Sequence, residues 1–531
     1  MAGKWRKYYV AAALILTLAS IAYWAMYAVN AYKTYHESYD IAVFSYNFFI
    51  YSYYPQVAKG LQIIVFGNHI IPDFDLLLPI YRLFPSPLTL LFIQDLAVSL
   101  AGLALFFVAS ELANSDALGL VFSIAYFLNT GVQSLLAFDF HGESFIALFY
   151  ILSFYFFIKM KKKQFYLSLA FLFGILEEVP LLWMSFCIGI WLFAKFYDKG
   201  DMIHKEHIEL ARNTFVLSIA VMLLYSAITA HLTSSYASGY LTLPSSLKIN
   251  IGTQNSVPGN IVNAVRNFTA FEKLMATDYA NIHNAIGVSP SDILYGIAVA
   301  VFGVGGATIF VPITSLMLLL PWALGPFFSI QNISWLLLGH QYFGFAIGPS
   351  AVASLLGAIQ ISKNNWLSKK LSKLTGFEPR HLVLFFSILI TFELFTFFPF
   401  FVKNTQNFYQ NQLAQDFLFQ VPQQQQAYYT QIESMIKLIP PNSTVMTQSY
   451  IWTHLIQRKF AYSVTTNTKG PYGFSVSNYT PEYILIDFNR NISVNAYIPD
   501  EYQGFIEHVN SAPYAVYAQN GSAILYRLLG T

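Results

Sequence analysis

The stretch that decides the fold is GNHIIPDFDLLLPIYRLFPSPLTLL, residues 67–91, in which a histidine, two aspartates and an arginine precede a long apolar run. Ionisable side chains are costly beside hydrocarbon, so next to a membrane-length segment they indicate a functional site. Pro72 and Pro79 interrupt any straight helix through this stretch. We therefore expect a polar site at the mouth of a membrane-spanning helix.

The composition of the whole chain indicates the same class of protein. Of its 531 residues 56% are apolar and 11% are charged, whereas a soluble domain has about 25% charged residues. The apolar residues fall in runs of about 20, the length that crosses a bilayer. We predict a polytopic α-helical protein of the plasma membrane, with the lipid bilayer as its first partner. A net charge of +2 without a long basic patch argues against a nucleic-acid partner.

Lysine and arginine cluster in four short segments, 1–8, 159–163, 195–212 and 362–380, which hold sixteen of the 29 cations. By the positive-inside rule these segments face the cytoplasm. About eleven spans return the chain to that side each time. We expect them at 8–29, 88–110, 117–137, 143–158, 165–177, 180–195, 209–232, 292–311, 312–329, 338–361 and 381–402. The fifth and sixth are short, and a re-entrant hairpin fits them equally well.

This topology puts the N-terminus in the cytoplasm and the loops 30–87 and 233–291 outside, together with the tail 403–531. An independent pattern agrees with it, because all N-x-Ser/Thr sequons lie in segments that the charge distribution places outside. We expect glycosylation at these sites. They are Asn267, Asn332, Asn442, Asn478, Asn491 and Asn520.

The chain thus divides into a multi-span domain, 1–402, and an extracytoplasmic tail domain, 403–531. Short alternating runs in the tail predict strands in STVMTQSY (443–450), EYILIDF (482–488) and SAILYRL (522–528). Helical stretches around 428–438, 450–457 and 501–510 lie between them. Strands that alternate with helices predict a small α/β domain.

Carboxylates and a histidine follow the first span in HESYDIAVF (36–44). Here Asp40, with Glu37 in support, could act as a general base toward an acceptor hydroxyl or hold a divalent cation. Further along, His69 and Arg82 could grip a phosphate, because a guanidinium binds phosphate oxygens in bidentate fashion. A solvated loop next to the membrane, with interfacial caps and snorkelling side chains, is the alternative.

The densest cluster is FDFHGES (138–144), with Asp139, His141 and Glu143 at the expected outer junction of spans three and four. In an extended turn these three side chains face the same way and could converge on one substrate or one cation. With one histidine and no cysteine nearby, an oxygen-preferring ion such as Mg²⁺ or Mn²⁺ fits better than zinc. The predicted ligands are Asp40, Asp139 and His141.

Acids also interrupt apolar segments. Glu177 and Glu178 in GILEEVPLLW could carry protons, bind a cation or pair with arginine, although a helix break at Pro180 explains them nearly as well. His340 and Glu393 are single polar residues in spans, for which a helix–helix hydrogen bond is the alternative. The glycines of GVGG (303–306) predict a tight turn or a close helix contact.

Several of these strings, YDIAVF (39–44), the block 66–96, FDFHGES, LEEVP (176–180) and GHQYF (339–343), resemble the prokaryotic membrane family described as domain of unknown function 2079. The closing block from 439 to 488 is similar to the extracytoplasmic tail of that family. Its architecture in turn resembles the glycosyltransferase C superfamily, whose enzymes take a sugar from a polyprenyl-phosphate carrier. The resemblance places the first-loop acid of those enzymes on Asp40, with Glu37 as a second candidate.

The leading hypothesis is an integral-membrane glycosyltransferase that moves a sugar from a polyprenyl-phosphate donor to an unknown acceptor at the outer face. Asp40 and Glu37 would be catalytic. The predicted substrate-binding residues are His69, Arg82, Asp139, His141, Glu143, Glu177, Glu178, His340 and Tyr342. Two alternatives stay open: an ion- or proton-coupled transporter that uses Glu177, Glu178, His340 and Glu393, and a non-catalytic scaffold or receptor with a glycosylated tail.

Overall fold

The fold is seen in a computed structural model, which describes residues 2–35, 39–55, 71–198, 202–235, 290–325, 336, 341–362, nine positions between 369 and 388, 423–463, 480–488, 509 and 513–530. Up to residue 362 the described chain is α-helical, with short 3₁₀ segments and one π-helical segment at Ala194–Asp198. The helices are α1 (Ala2–Lys33), α2 (Tyr39–Tyr53), α3 (Phe74–Leu83), α4 (Pro87–Leu112), α5 (Asp116–Leu128), α6 (Thr130–Ala137), α7 (Ile146–Ile158), α8 (Lys162–Phe173), α9 (Val179–Phe193), α10 (Lys205–Ser235), α11 (Pro290–Phe302), α12 (Pro312–Ala323) and α13 (Gly344–Ser362).

Side-chain caps explain where several of these helices begin. Ser86 accepts a hydrogen bond from the N–H of Leu88, and Pro87 stands at the first position of α4. Ser115 caps α5 in the same way. Asn129 accepts from the N–H of Val132 at 3.1 Å and so begins α6, which is bent by 50° from α5. The predicted third span is therefore a broken helix.

Membrane length is reached by several of the described helices. Five are long and apolar enough to cross a bilayer, and a sixth is added if the bent pair counts as one span. They begin near residues 5, 87, 179, 205 and 341, where spans were predicted, while shorter apolar helices occupy Gly142–Ile158, Ile293–Phe302 and Pro312–Ala323. The total of eleven stays a prediction, and the eleventh span lies outside the described residues except for isolated positions.

The predicted eighth span, 292–311, is wrong in extent. Its helix ends at Phe302, and the chain turns through Gly305 and Gly306, whose φ angles of 85° and 64° lie in the left-handed region. Residues with a Cβ rarely adopt that conformation, so the glycines stop the helix early. The tight turn predicted for GVGG thus lies inside the segment predicted to be the eighth span.

The helices alternate between two ends of the bundle. One end carries Lys159, whose ammonium lies 2.7 Å from the Glu111 carboxylate. At the other end, which we call the polar end, the start of α2, the loop 138–141 and the turn 174–178 meet. Helices α1 and α10 keep most of their apolar surface exposed, with 17% and 22% of their apolar windows buried, as expected for faces that contact lipid.

The tail folds around a five-stranded mixed sheet of order β2-β1-β3-β5-β4. Strands β1, β2 and β3 are parallel, and β5 runs antiparallel to both β3 and β4. Two helices, α14 and α15, accompany the sheet. The elements are α14 (Gln423–Leu438), β1 (Val445–Thr447), α15 (Ser449–Trp452), β2 (Ala461–Ser463), β3 (Tyr483–Asp487), β4 (Tyr514–Asn520) and β5 (Ala523–Leu528).

Strands occur at all the positions where alternation predicted them, and β3, which was read as EYILIDF, is buried along its whole length. The helix expected around 450–457 is shorter and ends at Trp452. Of the predicted sequons, Asn442 and Asn520 lie on the surface of the tail. The others, the predicted helix at 501–510 except for residue 509, and most of the loop 233–291 lie outside the described residues.

Candidate functional site

Asp40 stands in the first turn of α2, and its position depends on a loop one hundred residues further along the chain. The backbone N–H of Ile41 donates to Asp139 Oδ2 at 3.1 Å. The first N–H groups of a helix have no partner inside the helix, and a carboxylate there satisfies one of them and interacts favourably with the helix dipole. Asp139 therefore caps α2 from outside and holds Asp40 against the FDFHGES loop.

His141 is the partner of Asp40. Its Nε2 lies 3.5 Å from Asp40 Oδ2, and its Nδ1 lies 3.0 Å from the carbonyl oxygen of Asp139. The imidazole packs against the rings of Phe44 and Phe138. The His141 side chain is only 10% exposed, whereas the Asp40 side chain is 44% exposed. The pair thus presents the carboxylate to the outside and keeps the imidazole inside.

The electrostatics of His141 favour its cationic form. Burial by itself would lower the pKa, but the hydrogen bond and charge of Asp40, the charge of Glu143 and the Asp139 carbonyl together raise the pKa of His141 to about 9. Both ring nitrogens face oxygen atoms, which suits an imidazolium that donates two hydrogen bonds. At neutral pH we therefore expect an ion pair between Asp40 and His141.

Gln94 on α4 holds the loop in place, and the sequence reasoning did not identify it. Its Nε2 donates to the carbonyls of Leu135 and Phe138 at 3.1 and 3.0 Å. Its Oε1 accepts from the His141 N–H at 3.0 Å and from the Ser144 hydroxyl at 2.9 Å. This amide is fully buried and uses its hydrogen-bonding groups to stop α6 and to orient His141. The signal in the sequence was a polar pair, Gln94 and Asp95, inside an apolar span.

Glu143 and Tyr342 come together at the polar end. Both residues are buried, and the 3₁₀ turn Gln341–Phe343 packs against the 3₁₀ turn Gly142–Phe145. Gly344 makes this approach possible, because a Cβ there would overlap the carbonyl oxygen of Glu143. The GHQYF and FDFHGES motifs are therefore neighbours in space, although two hundred residues separate them in the chain.

Glu177 and Glu178 also lie at the polar end, in the turn between α8 and α9. Ile175 in this turn packs on Gly142 of the FDFHGES motif. Both glutamates are partly buried. Their place at the end of two helices, rather than midway along a span, is the place expected for a helix break and does not favour the transporter alternative.

A third carboxylate approaches the turn 174–178. The N–H of Asp73 donates to the Gly174 carbonyl at 3.1 Å, and the Asp73 carboxyl lies against the same glycine. Burial raises the pKa of Asp73 to about 7. Next to this acid in the chain, Phe74 packs in an aromatic cluster with Phe44 and Phe140, with ring centroids 5.1 to 5.7 Å apart.

Arg82 lies apart from the Asp40–His141 pair. Its backbone carbonyl accepts a hydrogen bond from the Tyr53 hydroxyl at 2.8 Å. Tyr53 is thirteen residues further along α2 than Asp40, a separation of about 20 Å along a helix axis. The structure therefore brings Asp40, Asp139, His141 and Glu143 together and leaves Arg82 at the far end of α2. Glu37, His69 and His340 lie outside the described residues.

The predicted cation ligands are engaged with the protein. Asp139 caps α2, and the two nitrogens of His141 face Asp40 and the Asp139 carbonyl. Among the residues that the structure describes, no group of three His, Cys, Asp or Glu side chains could hold a metal ion. As placed, these side chains do not fit a metal site, and the divalent cation stays a prediction.

The tail covers this end of the bundle. The Tyr46 hydroxyl donates to the Lys459 carbonyl at 2.8 Å, and the Tyr46 ring packs on Trp452. The His454 ring stacks on Tyr32 and Tyr35 with centroids 4.2 and 4.0 Å away. Burial lowers the pKa of His454 to about 4, so the ring is neutral in this contact. The tail thus rests on the end of α1 and on α2, the helix that carries Asp40.

The model of the family described as predicted membrane protein (DUF2079) matches residues 39–519. A search of curated proteins found no match. Among solved structures, the chain is similar to ArnT from Cupriavidus metallidurans, which was crystallised bound to undecaprenyl phosphate. The two are 10% identical with a TM-score of 0.41, and the alignment covers 100% of this chain and 99% of that one.

Proposed function

The chain belongs to the DUF2079 family of predicted membrane proteins, and we propose that it is an integral-membrane glycosyltransferase with Asp40 as its general base. The substrate would be a sugar linked to polyprenyl phosphate, and the acceptor would carry a hydroxyl group. The observation that carries the proposal is the Asp40–His141 pair, in which a half-exposed carboxylate is held by a buried imidazole.

The pair suits proton abstraction for a geometric reason. Asp139 and His141 fix the Asp40 carboxylate from the protein side, because they hold the start of α2 and the Oδ2 atom. The orientation of the carboxylate is then fixed, and its exposed side can meet an acceptor hydroxyl. A base held in place in this way contributes about 10²–10⁴-fold to the rate of a proton transfer.

The proposed reaction transfers the sugar directly from the polyprenyl phosphate to the acceptor hydroxyl. The acceptor oxygen forms a bond to the anomeric carbon while its proton passes to Asp40. The bond between the anomeric carbon and the phosphate oxygen breaks, and the electron pair leaves with polyprenyl phosphate. Stabilisation of that leaving phosphate by cations should be a large catalytic term. His69 stays the proposed phosphate-binding residue, with Glu143, Glu177, Glu178, His340 and Tyr342 around the acceptor. The predicted role of Arg82 at this phosphate is wrong, because Arg82 lies at the far end of α2 from Asp40.

Asp40→Asn tests the proposal, because it removes the base and keeps the shape. The purified protein in phospholipid nanodiscs would receive polyprenyl-phosphate hexoses and pentoses, labelled in the sugar, and a lipid and glycan extract of membranes as acceptor. Transfer of label to the extract should fall at least 100-fold in Asp40→Asn.

The matched control is Asp116→Asn. Asp116 also lies in the first turn of a helix, but α5 begins at the opposite end of the bundle from Asp40. The control should transfer label at the wild-type rate. Equal transfer by Asp40→Asn and wild type would refute Asp40 as the base. Uptake of labelled substrate into sealed vesicles without any transfer would instead support the transporter alternative.

A further inference from the structure

Helix α3 has three distinct faces, which follow from about 100° of rotation per residue. Phe74 and Tyr81 share one face and are buried. Leu76, Ile80 and Leu83 share the opposite face and are exposed. Asp75 and Arg82, seven residues apart, form a polar edge between the two. A helix with an apolar exposed face beside a charged edge is typical of segments that lie in the plane of a membrane interface.

The buried face fixes α3 to the protein. Phe74 packs on Phe44, and Tyr81 packs on Phe48, with centroids 5.6 and 5.3 Å apart. The Tyr81 hydroxyl donates to the Ser45 carbonyl at 2.9 Å. These contacts, all with α2, leave no freedom to turn the exposed leucines inward. The apolar face of α3 is therefore held outward by the fold.

The exposed face is strongly apolar and continues beyond the helix. Leu76, Ile80 and Leu83 are 57%, 44% and 74% exposed, and Phe84 directly after them is 66% exposed. We call these four residues the apolar stripe. On α4, which is 26 residues long and begins three residues later, Phe92 and Leu96 are also exposed. The stripe is thus continuous with the surface of a membrane-length helix, which argues for lipid rather than protein as its occupant.

Cations lie beside the stripe. The Arg82 side chain is exposed on the polar edge of α3, and its backbone is bonded to Tyr53. Lys459 of the tail lies over the ring of the adjacent Tyr54, with its Nζ 5.5 Å from the centroid. Gln457 donates to the Pro85 carbonyl and so keeps this tail segment next to the end of α3. A cationic edge above an apolar stripe matches the phosphate and acyl-chain layers of a phospholipid leaflet.

We infer that α3 is an interfacial helix whose apolar stripe inserts into the membrane leaflet at the polar end of the bundle. The occupant is bilayer phospholipid, with acyl chains against Leu76, Ile80, Leu83 and Phe84, and with phosphates near Arg82 and Lys459. This inference does not depend on the proposed transfer reaction.

Nitroxide accessibility tests the inference. A label would be placed at Leu76→Cys, Ile80→Cys or Leu83→Cys in a Cys187→Ala background, and the protein would be held in phosphatidylcholine–phosphatidylglycerol nanodiscs. Oxygen concentrates in the bilayer, whereas a soluble nickel chelate stays in water. The ratio of oxygen to nickel collision rates should be at least threefold higher at these positions than at Val516→Cys, the matched control.

Val516 is a suitable control because it is a 57% exposed apolar residue on β4 of the tail. A ratio less than threefold above that of Val516 at Leu83 and Leu76 would overturn the inference. So would slow collisions with both reagents, since a second protein chain on the stripe would block both. In a separate arm, Arg82→Glu should raise the nickel collision rate at Leu83 at least twofold, and an unchanged rate would refute the phosphate contact of Arg82.

Discussion

Replacing Gln94 by leucine should destabilise the protein more than any other single amide substitution near the site. The substitution keeps the volume but leaves the carbonyls of Leu135 and Phe138, the N–H of His141 and the Ser144 hydroxyl without their partner. A buried polar group left unsatisfied costs about 1–3 kcal/mol. The Ser144 hydroxyl can rotate toward another acceptor, so three backbone groups carry the cost, which we place at roughly 3–5 kcal/mol.

The single cysteine provides the assay. Cys187 is 5% exposed in α9, so a thiol-reactive fluorescent dye reaches it only when the bundle opens. On heating in detergent, the labelling midpoint of Gln94→Leu should lie on the order of 10 °C below that of the wild type, at about 2–4 °C per kcal/mol. In Gln94→Glu, one carboxylate oxygen can still accept from the His141 N–H and the Ser144 hydroxyl. The other oxygen faces the carbonyls of Leu135 and Phe138 without a proton to donate, so this variant should also be destabilised.

Gln133→Leu is the matched control, because Gln133 also lies in a helix of the bundle and makes one hydrogen bond, to the Phe127 carbonyl at 3.3 Å. Its midpoint should fall by about 2–4 °C, since one partly buried bond contributes about 1 kcal/mol. If Gln94→Leu and Gln133→Leu melted at the same temperature, the role given to Gln94 in stopping α6 and orienting His141 would be refuted.

Three further predictions concern packing and titration. Gly344→Ala should destabilise the bundle by about 1–3 kcal/mol, because its Cβ would overlap the Glu143 backbone. The control is Gly348→Ala, since the nearest neighbours of its added Cβ lie 3.1 Å or more away. Equal melting temperatures of the two variants would contradict the reasoning. The folded protein holds the Asp73 proton up to a pKa of about 7, so wild-type stability should fall as the pH rises from about 4 to 7. Asp73→Asn should lose that dependence, which Cys187 labelling at pH 5 and pH 8 would measure. His454 has a folded pKa of about 4, so its contact with Tyr32 and Tyr35 should weaken as the pH falls below about 6.5. Amide protection over 449–463, measured relative to the intrinsic exchange rate at each pH, should fall in acid in the wild type but not in His454→Phe. An equal fall in both would exclude His454 as the titrating group.

Much of the fold followed from periodicity and composition. Apolar runs predicted where most of the described helices lie, and alternation located β1, β3 and β5. Hydropathy indicates whether a segment can be buried but not how long its helix is, so the glycines at 305 and 306 ended the eighth segment earlier than expected. Periodicity also assigns the faces of a helix without saying which helix packs on which, so the place of Arg82 beside Tyr53 could not be derived.

The candidate site was also predicted only in part, because the sequence does not show which distant segments pack together. Ligand-type residues at helix ends pointed to Asp40, Asp139 and His141, and the structure brings these three together. Their roles differ from the expectation, because Asp139 uses its carboxylate to cap α2, a long-range partner that spacing within FDFHGES cannot show. Gln94 was missed because an amide within an apolar run has no motif, and its four hydrogen bonds exist only once α4, α6 and the loop 138–141 have met.

The contact between the tail and α2 forms late in biosynthesis. The Tyr46–Lys459 hydrogen bond joins residues 413 positions apart. At about 5–20 residues per second, a ribosome needs roughly 20–80 s to make the intervening chain. Helix α2 and the end of α1 are therefore complete for most of translation before the tail segment that covers them is synthesised. Release of a truncated chain at residue 440 would remove the contacts of Tyr32 with His454 and of Tyr46 with Trp452 and Lys459, and quality-control proteases would meet an aromatic surface that the finished protein never displays.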